Sequence, residues 1–421
     1  MVASPRPGRA APALIDVDET SFFAIVAVAA IAATLVTVLP RNLAPPVVVI
    51  ELLLGIVIGP QVLGIADGDS FIDFFSNLGL GMLFFFAGYE IDFERIKGRP
   101  MTLGAWGWLA SLVLAYGIGG ILAAVGVVLS FLYTGSALAT TAIGTLIPIL
   151  RDNGELKTRF GTYLLAAGSA GEFGPILLIT LVLSTGHPLH EALILAAFVV
   201  LALALAVASV RYAWRGIPAF ERTLESSSQL AVRIAVLLVF GLVALASQLG
   251  LDILLGGFVA GMITRAALRG REMAAFESKL TAVGFGFLIP FFFVSSGIDF
   301  NLDALGEPAA IAKLFLFLAL FLVVRGLPAM VLYTRVFVRR DRIALAFFSA
   351  TELPLVVAIT TLATETGHMR TSTAAGLVGA AMLSTLIFPF VGLALRKGAE
   401  RRDEPPEPLP PDEAAAAPAP G

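Results

Sequence analysis

Apolar residues run along this chain in blocks of about 20, divided by short polar or charged interruptions, from Ser21 to Leu395. A helix of about 20 residues crosses a hydrocarbon core of about 30 Å. Splitting the chain at its charged and Pro/Gly-rich interruptions predicts thirteen spans, at approximately 21–39, 46–64, 72–90, 101–126, 129–150, 158–184, 190–211, 229–249, 253–268, 278–298, 310–334, 342–366 and 371–395. The expected fold class is an all-α polytopic membrane protein.

Charge placement tests that count. With the C-terminus inside, the inner loops gather 22 of the 28 Lys and Arg residues, whereas the outer segments hold only Arg6, Arg9, Lys313 and Arg370. Lys and Arg concentrate on the cytoplasmic side of membrane proteins. One missed or invented span would scramble the alternation, so thirteen spans with an outer N-terminus are expected.

The two halves resemble each other. LLLGIVIGP (52–60) matches LLGGFVAGM (254–262), FFFAGYEIDF (84–93) matches FFFVSSGIDF (291–300), and GTLIP (144–148) matches ATELP (350–354). The last two offsets are 207 and 206 residues, or seven spans. Seven is odd, so the second copy enters the membrane the opposite way. Repeat one is 21–184, a linker helix 190–211 follows, and repeat two is 229–395. Inverted six-helix repeats are common in secondary transporters, with the substrate site near the midplane where they meet.

Composition adds exclusions. The chain is 58% hydrophobic and 14% charged, against about 25% charged in soluble domains. Its basic residues are scattered over alternate loops, which leaves no nucleic-acid-binding face. No cysteine is present, which removes disulfides and thiolate metal sites. His187, His190 and His368 sit at helix ends or in loops and suggest no metal site. Asp16, Asp18 and Glu19 precede the first apolar run, unlike a signal peptide; residues 1–20 are expected outside the membrane. The Pro-, Ala- and acid-rich tail, 396–421, is expected to be a disordered cytoplasmic segment.

Three charges fall where the lipid is thickest. Glu172, Arg325 and Glu352 lie near the middles of spans 6, 11 and 12. A charge at the bilayer centre costs about 3 kcal/mol on insertion scales, which marks it as a functional candidate. Broken helices surround them. Span 5 carries Thr140, Thr141, Gly144 and Pro148, and span 12 carries Ser349, Thr351 and Pro354 around Glu352. Span 6 contains GSAGEFGP (168–175), a second loosened stretch with Ser169 beside Glu172. Proline removes an amide donor and frees an upstream carbonyl, which can serve an ion.

At these residues the sequence resembles the monovalent cation/proton antiporter superfamily, above all its second cation:proton antiporter family. The matching stretches are LLLGIVIGPQVLG (52–64), LGLGMLFFFAGYEIDFERI (78–96), SALATTAIGTLIPIL (136–150), LLGGFVAGM (254–262) and FGFLIPFFFVSSGIDF (285–300). The resemblance implies a core domain with two discontinuous crossing helices (spans 5 and 12), a dimerisation domain, and a homodimer in the cytoplasmic membrane. The family's ion-binding carboxylate falls on Glu172, which would hold the transported Na⁺ or K⁺ in exchange for H⁺. Its basic residue falls on Arg325, beside Glu172 and lowering its proton affinity, and the glutamate of the potassium-efflux branch falls on Glu352. Thr140, Thr141 and Ser169 would complete the shell, and no cofactor or enzymatic activity is implied. Where relatives carry two polar or acidic residues, this chain has Gly171-Glu172, which points to electroneutral exchange. Sodium-coupled symport of an organic anion and a non-transporting scaffold or sensor are the competing readings.

Overall fold

The computed structural model describes residues 18–39, 45–91, 93–182, 196–198, 200–201, 204, 229–249, 253–268, 274–306 and 308–397. The predicted linker helix lies mostly outside them, as do the expected N-terminal segment and tail. The described residues are helical without strands: α1 (Glu19–Val38), α2 (Val47–Ile58), α3 (Ser70–Tyr89), α4 (Phe93–Ile96), α5 (Arg99–Ala124), α6 (Phe131–Leu138), α7 (Ile143–Asp152), α8 (Arg159–Val182), α9 (Leu230–Gln248), α10 (Ile253–Ala267), α11 (Ala274–Val283), α12 (Ile289–Ile298), α13 (Pro308–Leu332), α14 (Arg339–Ser349), α15 (Pro354–Glu365) and α16 (Thr371–Arg396). Seven spans among the described residues are long and apolar enough to cross a bilayer, which makes this a multi-pass membrane protein.

Local chemistry sets the helix ends. Asp18 caps α1 by accepting from the Thr20 amide, and Asp69 caps α3 by accepting from the Phe71 and Ile72 amides. Span 2 ends at Ile58, six residues earlier than expected, because Pro60 follows and the chain turns through Gly64 at φ +60°. Span 10 is one path, in which α11 passes through a π-helical turn at Gly284–Leu288 into α12. Pro290 has no amide to offer the Gly286 carbonyl, and such bulges absorb that loss.

Two helix pairs hold the halves together. α2 packs along α12, and α3 along α10. In the repeat expected from the sequence, these two contacts correspond to each other. Glycine makes both contacts close. A methyl at Gly55 would lie 2.2 Å from the Val294 carbonyl oxygen, and one at Gly261 would lie 2.0 Å from that of Phe85. Helices in lipid gain little from apolar burial, so such backbone approach supplies the dispersion contact instead.

Candidate functional site

Both predicted crossing helices are broken. α6 stops at Leu138 and α7 begins at Ile143; α14 stops at Ser349 and α15 begins at Pro354. The two breaks meet, since the Ala142 amide donates to the Thr351 carbonyl at 2.8 Å. Proline explains a second tie. Pro175 within α8 cannot bond the Gly171 carbonyl, and that oxygen accepts from the Thr141 amide at 3.0 Å instead.

The details correct three expectations. The first break falls at 139–142, around Thr140 and Thr141; Gly144 is the second residue of α7 and Pro148 its sixth. Pro148 therefore does not interrupt the helix, although its missing amide leaves the Gly144 carbonyl without an i+4 donor. The GSAGEFGP stretch is not loosened, because α8 runs unbroken from Arg159 to Val182. Its glycines admit neighbours: a methyl at Gly171 would lie 2.3 Å from an Arg325 terminal nitrogen, and one at Gly174 would meet the Trp108 ring at 2.4 Å. Third, Arg325 forms no ion pair with Glu172 or Glu352.

Arg325 lies in mid-α13 at 4% exposure. Its Nε donates to Thr141 Oγ1 at 2.9 Å and to the Ser349 carbonyl at 3.3 Å. One terminal nitrogen reaches Ser111 Oγ at 3.2 Å and the other the Ala167 carbonyl at 3.1 Å. Thr141 in turn donates to the Ser349 carbonyl. One guanidinium thus ties α5, α8 and both breaks through neutral oxygens.

Each break has a buried carboxylate beside it or within it. Glu172 is 3% exposed, the Gly144 amide in the first turn of α7 faces its carboxyl group, and Oε2 has no hydrogen-bond partner. A helix N-terminus carries partial positive charge and free amides, which suit a carboxylate. Glu352 is fully buried; Thr140 Oγ1 donates to its Oε2 at 2.9 Å, while Oε1 is unpartnered. Its backbone is fixed by α16, because Ser384 and Thr385 donate to its carbonyl at 3.1 and 3.0 Å. Ser169 is buried one turn before Glu172, and its hydroxyl makes no hydrogen bond among the described residues. Thr351 and Pro354 flank Glu352 as expected.

Two excess carboxylate oxygens in a protein interior are unusual, since buried polar atoms nearly always find a partner. Oxygen acceptors without donors suit either a proton or a hard monovalent cation. Sequence reasoning placed Ser349 in the second break but missed Ser111, Ser384 and Thr385, which nothing local marks.

A cavity of about 630 Å³ opens between α3, α10 and α12 on one side and α15 and α16 on the other. Asp73, Asp299 and Glu365 stand in its wall, whereas Glu172 and Glu352 do not. Asp299, just beyond α12, is pushed up to about 6 by burial and then by the nearby Asp73 charge. A separate buried cluster joins Arg396 to Glu155 at 3.0 Å and to Asp341 at 3.1 Å, with the guanidinium 4.4 Å from the Phe160 ring centre.

Crossed broken helices around buried acids define the class of a membrane transporter, and the sequence comparisons agree. The family model described as sodium/hydrogen exchanger, transmembrane, matches residues 26–393, and the chain belongs to that family. It is 26% identical to a Bacillus subtilis (strain 168) protein provisionally named Na(+)/H(+) antiporter YjbQ, over 86% of this chain and 61% of that relative's length. With the Na(+)/H(+)-K(+) antiporter GerN of Bacillus cereus it shares 29% identity, over 69% of this chain and 74% of GerN. The fold is similar to that of the sodium proton antiporter MjNhaP1 from Methanocaldococcus jannaschii, with TM-score 0.57 and 17% identity over 90% of this chain and 98% of that one. The family is one of transporters, not enzymes.

Proposed function

We propose that this chain exchanges a monovalent cation, Na⁺ or K⁺, for H⁺ by alternating access. The observation that carries the reading is Glu172: a buried carboxyl in the membrane, faced by the free amide of a half-helix, with one oxygen unpartnered. Such a group holds a proton or a cation on the same oxygens, and competition between the two couples their movement. The α7 N-terminus presents a backbone donor to the carboxyl group without contributing a rival cation. Arg325 is a positioning residue, which fixes the breaks that present Glu172 and Glu352. Thr140 and the oxygens of the broken segments are available to a bound ion.

Family membership supports the same reading, as does the scarcity of charge elsewhere at this depth. A single acid at the α8 position supports one-for-one, electroneutral exchange. A core of α5–α8 and α13–α16 would move against a scaffold built from α1–α3, α9, α10 and α12, in a homodimer in the cytoplasmic membrane. The basic inner loops support an outer N-terminus and an inner C-terminus. Organic-anion symport would need Arg325 as its anchor, and each of that side chain's nitrogens already has a partner.

The test is purified protein in liposomes loaded with a pH-sensitive dye, pulsed with Na⁺, K⁺ and Li⁺ in turn. Cation-dependent proton movement is expected from the wild-type protein and none from Glu172→Gln. Exchange retained by a folded Glu172→Gln protein would overturn the assignment.

A further inference from the structure

We infer that Arg151 is a positioning residue for the exchange, an ionic latch that ties the core to the scaffold at one end of their shared seam; this rests on the antiporter reading. Arg151 is in the last turn of α7, the half-helix whose first turn faces Glu172. One of its terminal nitrogens lies 2.9 Å from Glu90 Oε1 and 3.6 Å from Glu277 Oε1. Glu90 follows the last residue of α3, and Glu277 is in α11, which continues into α12. A cation at this place suits the C-terminal end of α7 whatever its partners. Its partners here are two carboxylates of the scaffold, and nothing in the transport site uses any of the three.

The seam is open where this latch is not. α3 reaches both ends: Asp73 and Leu80 stand in the cavity wall, whereas Glu90 is about 25 Å from Asp73 along the helix axis. The span formed by α11 and α12 does the same, with Glu277 near its start and Ser296 and Asp299 in the cavity wall. The opposite wall is α15 and α16, so the gap separates scaffold from core. At the latched end the two parts touch. A methyl at Gly144 of α7 would lie 4.0 Å from Ala87 Cβ of α3 and 4.0 Å from Glu172 Oε1, and Ala87 is buried. In the proposed orientation this closed end faces the cytoplasm.

Alternating access opens one end of such a seam as it closes the other. The latch has to break before the packing can reverse. An interaction made in only one of two packings shifts the population toward it, and this one favours the packing described here. α7 carries Arg151 at one end and presents an amide to Glu172 at the other, so the latch also holds that amide against the scaffold. All three side chains are partly exposed, which makes the bias modest and sensitive to salt.

The chain has no cysteine, so Ala87→Cys places a single thiol beneath the latch. Its rate of maleimide labelling in the purified protein reports opening of the closed end. Arg151→Gln is expected to raise that rate about twofold to fivefold, the range for partly exposed ion pairs. Loss of the cation also lowers the reactive thiolate fraction, an effect of the opposite sign. Glu90→Gln together with Glu277→Gln should raise the rate equally, and adding Arg151→Gln to that pair should change nothing further. Thermal midpoints report whether each variant is folded, and the paired variant alone carries the test if Arg151→Gln folds poorly. An unchanged or slower rate, or additive effects of the three substitutions, overturns the proposal. The dye assay on the wild-type protein separates the failures: exchange with an unchanged labelling rate sinks only the latch, whereas no exchange sinks the antiporter reading.

Discussion

The two broken helices share a backbone device and differ in chemistry. The first break, between α6 and α7, contributes hydroxyls and a half-helix N-terminus, and its acid comes from the neighbouring α8. The second, between α14 and α15, carries its own acid, Glu352, and its carbonyl there is held by two hydroxyls of α16. The two breaks thus differ in that one carboxylate is presented from outside the break and the other is built into it. In the proposed exchange, the first changes its occupant without disturbing the crossing. The second is bound into the crossing at both backbone and side chain.

Substitutions can break that contrast. The largest effect is expected at Glu172→Gln, with exchange reduced to the level of protein-free liposomes while the protein elutes as wild type in gel filtration. Glu352→Gln keeps an oxygen for Thr140 and is expected to slow exchange to about a tenth, or about 1.4 kcal/mol in the barrier. Equal loss in both variants, measured as initial dye rates, would erase the distinction between the acids. Gly171→Ala forces a methyl against Arg325 and Thr141 and should destabilise the fold by about 1–3 kcal/mol, visible as a lower thermal midpoint. Ser384→Ala removes one of two hydroxyl donors to the Glu352 carbonyl and should cost about 1 kcal/mol, with a larger effect on exchange than its distance from Glu172 suggests.

The smallest effect lies outside the membrane-spanning helices. Asp299 holds its proton more tightly folded than unfolded, so its contribution to stability is present at low pH. That contribution is lost as pH rises from the ordinary 3.8 through about 6. Asp73→Asn removes one cause of the shift and should flatten this part of the stability–pH curve, read from thermal midpoints between those values.

Much of this was legible in the sequence because lipid imposes a strong rule: long apolar stretches are helices, and charges within them need a reason. Spans, breaks and the three central charges follow from it. The extent of the first break did not, because the interruption read from Thr140 to Pro148 narrows to 139–142, and Gly144 and Pro148, which look like breakers, lie inside α7. Proline's effect is felt four residues upstream, at a carbonyl, and not at its own position. The glycines of GSAGEFGP read as flexibility, but they are clearances for Arg325 and Trp108, which only the packing reveals. The expected action of Arg325 on the proton affinity of Glu172 is not exerted through an ion pair, for a similar reason. Sequence gives depth for a charge and not its partner, and Ser111, Thr141 and two carbonyls provide a neutral alternative.

Because Arg325 is bound only by neutral groups, its positive charge rides with the core whatever occupies the site. In the proposed exchange, the proton-loaded form has a neutral Glu172, and the cation-loaded form has a carboxylate cancelled by its ion. Both then transport the same net charge through the membrane voltage, where each elementary charge is worth about 2.3 kcal/mol per 100 mV. The outward and return strokes are opposed and assisted equally, so a full turnover displaces no current, while either stroke alone feels the field.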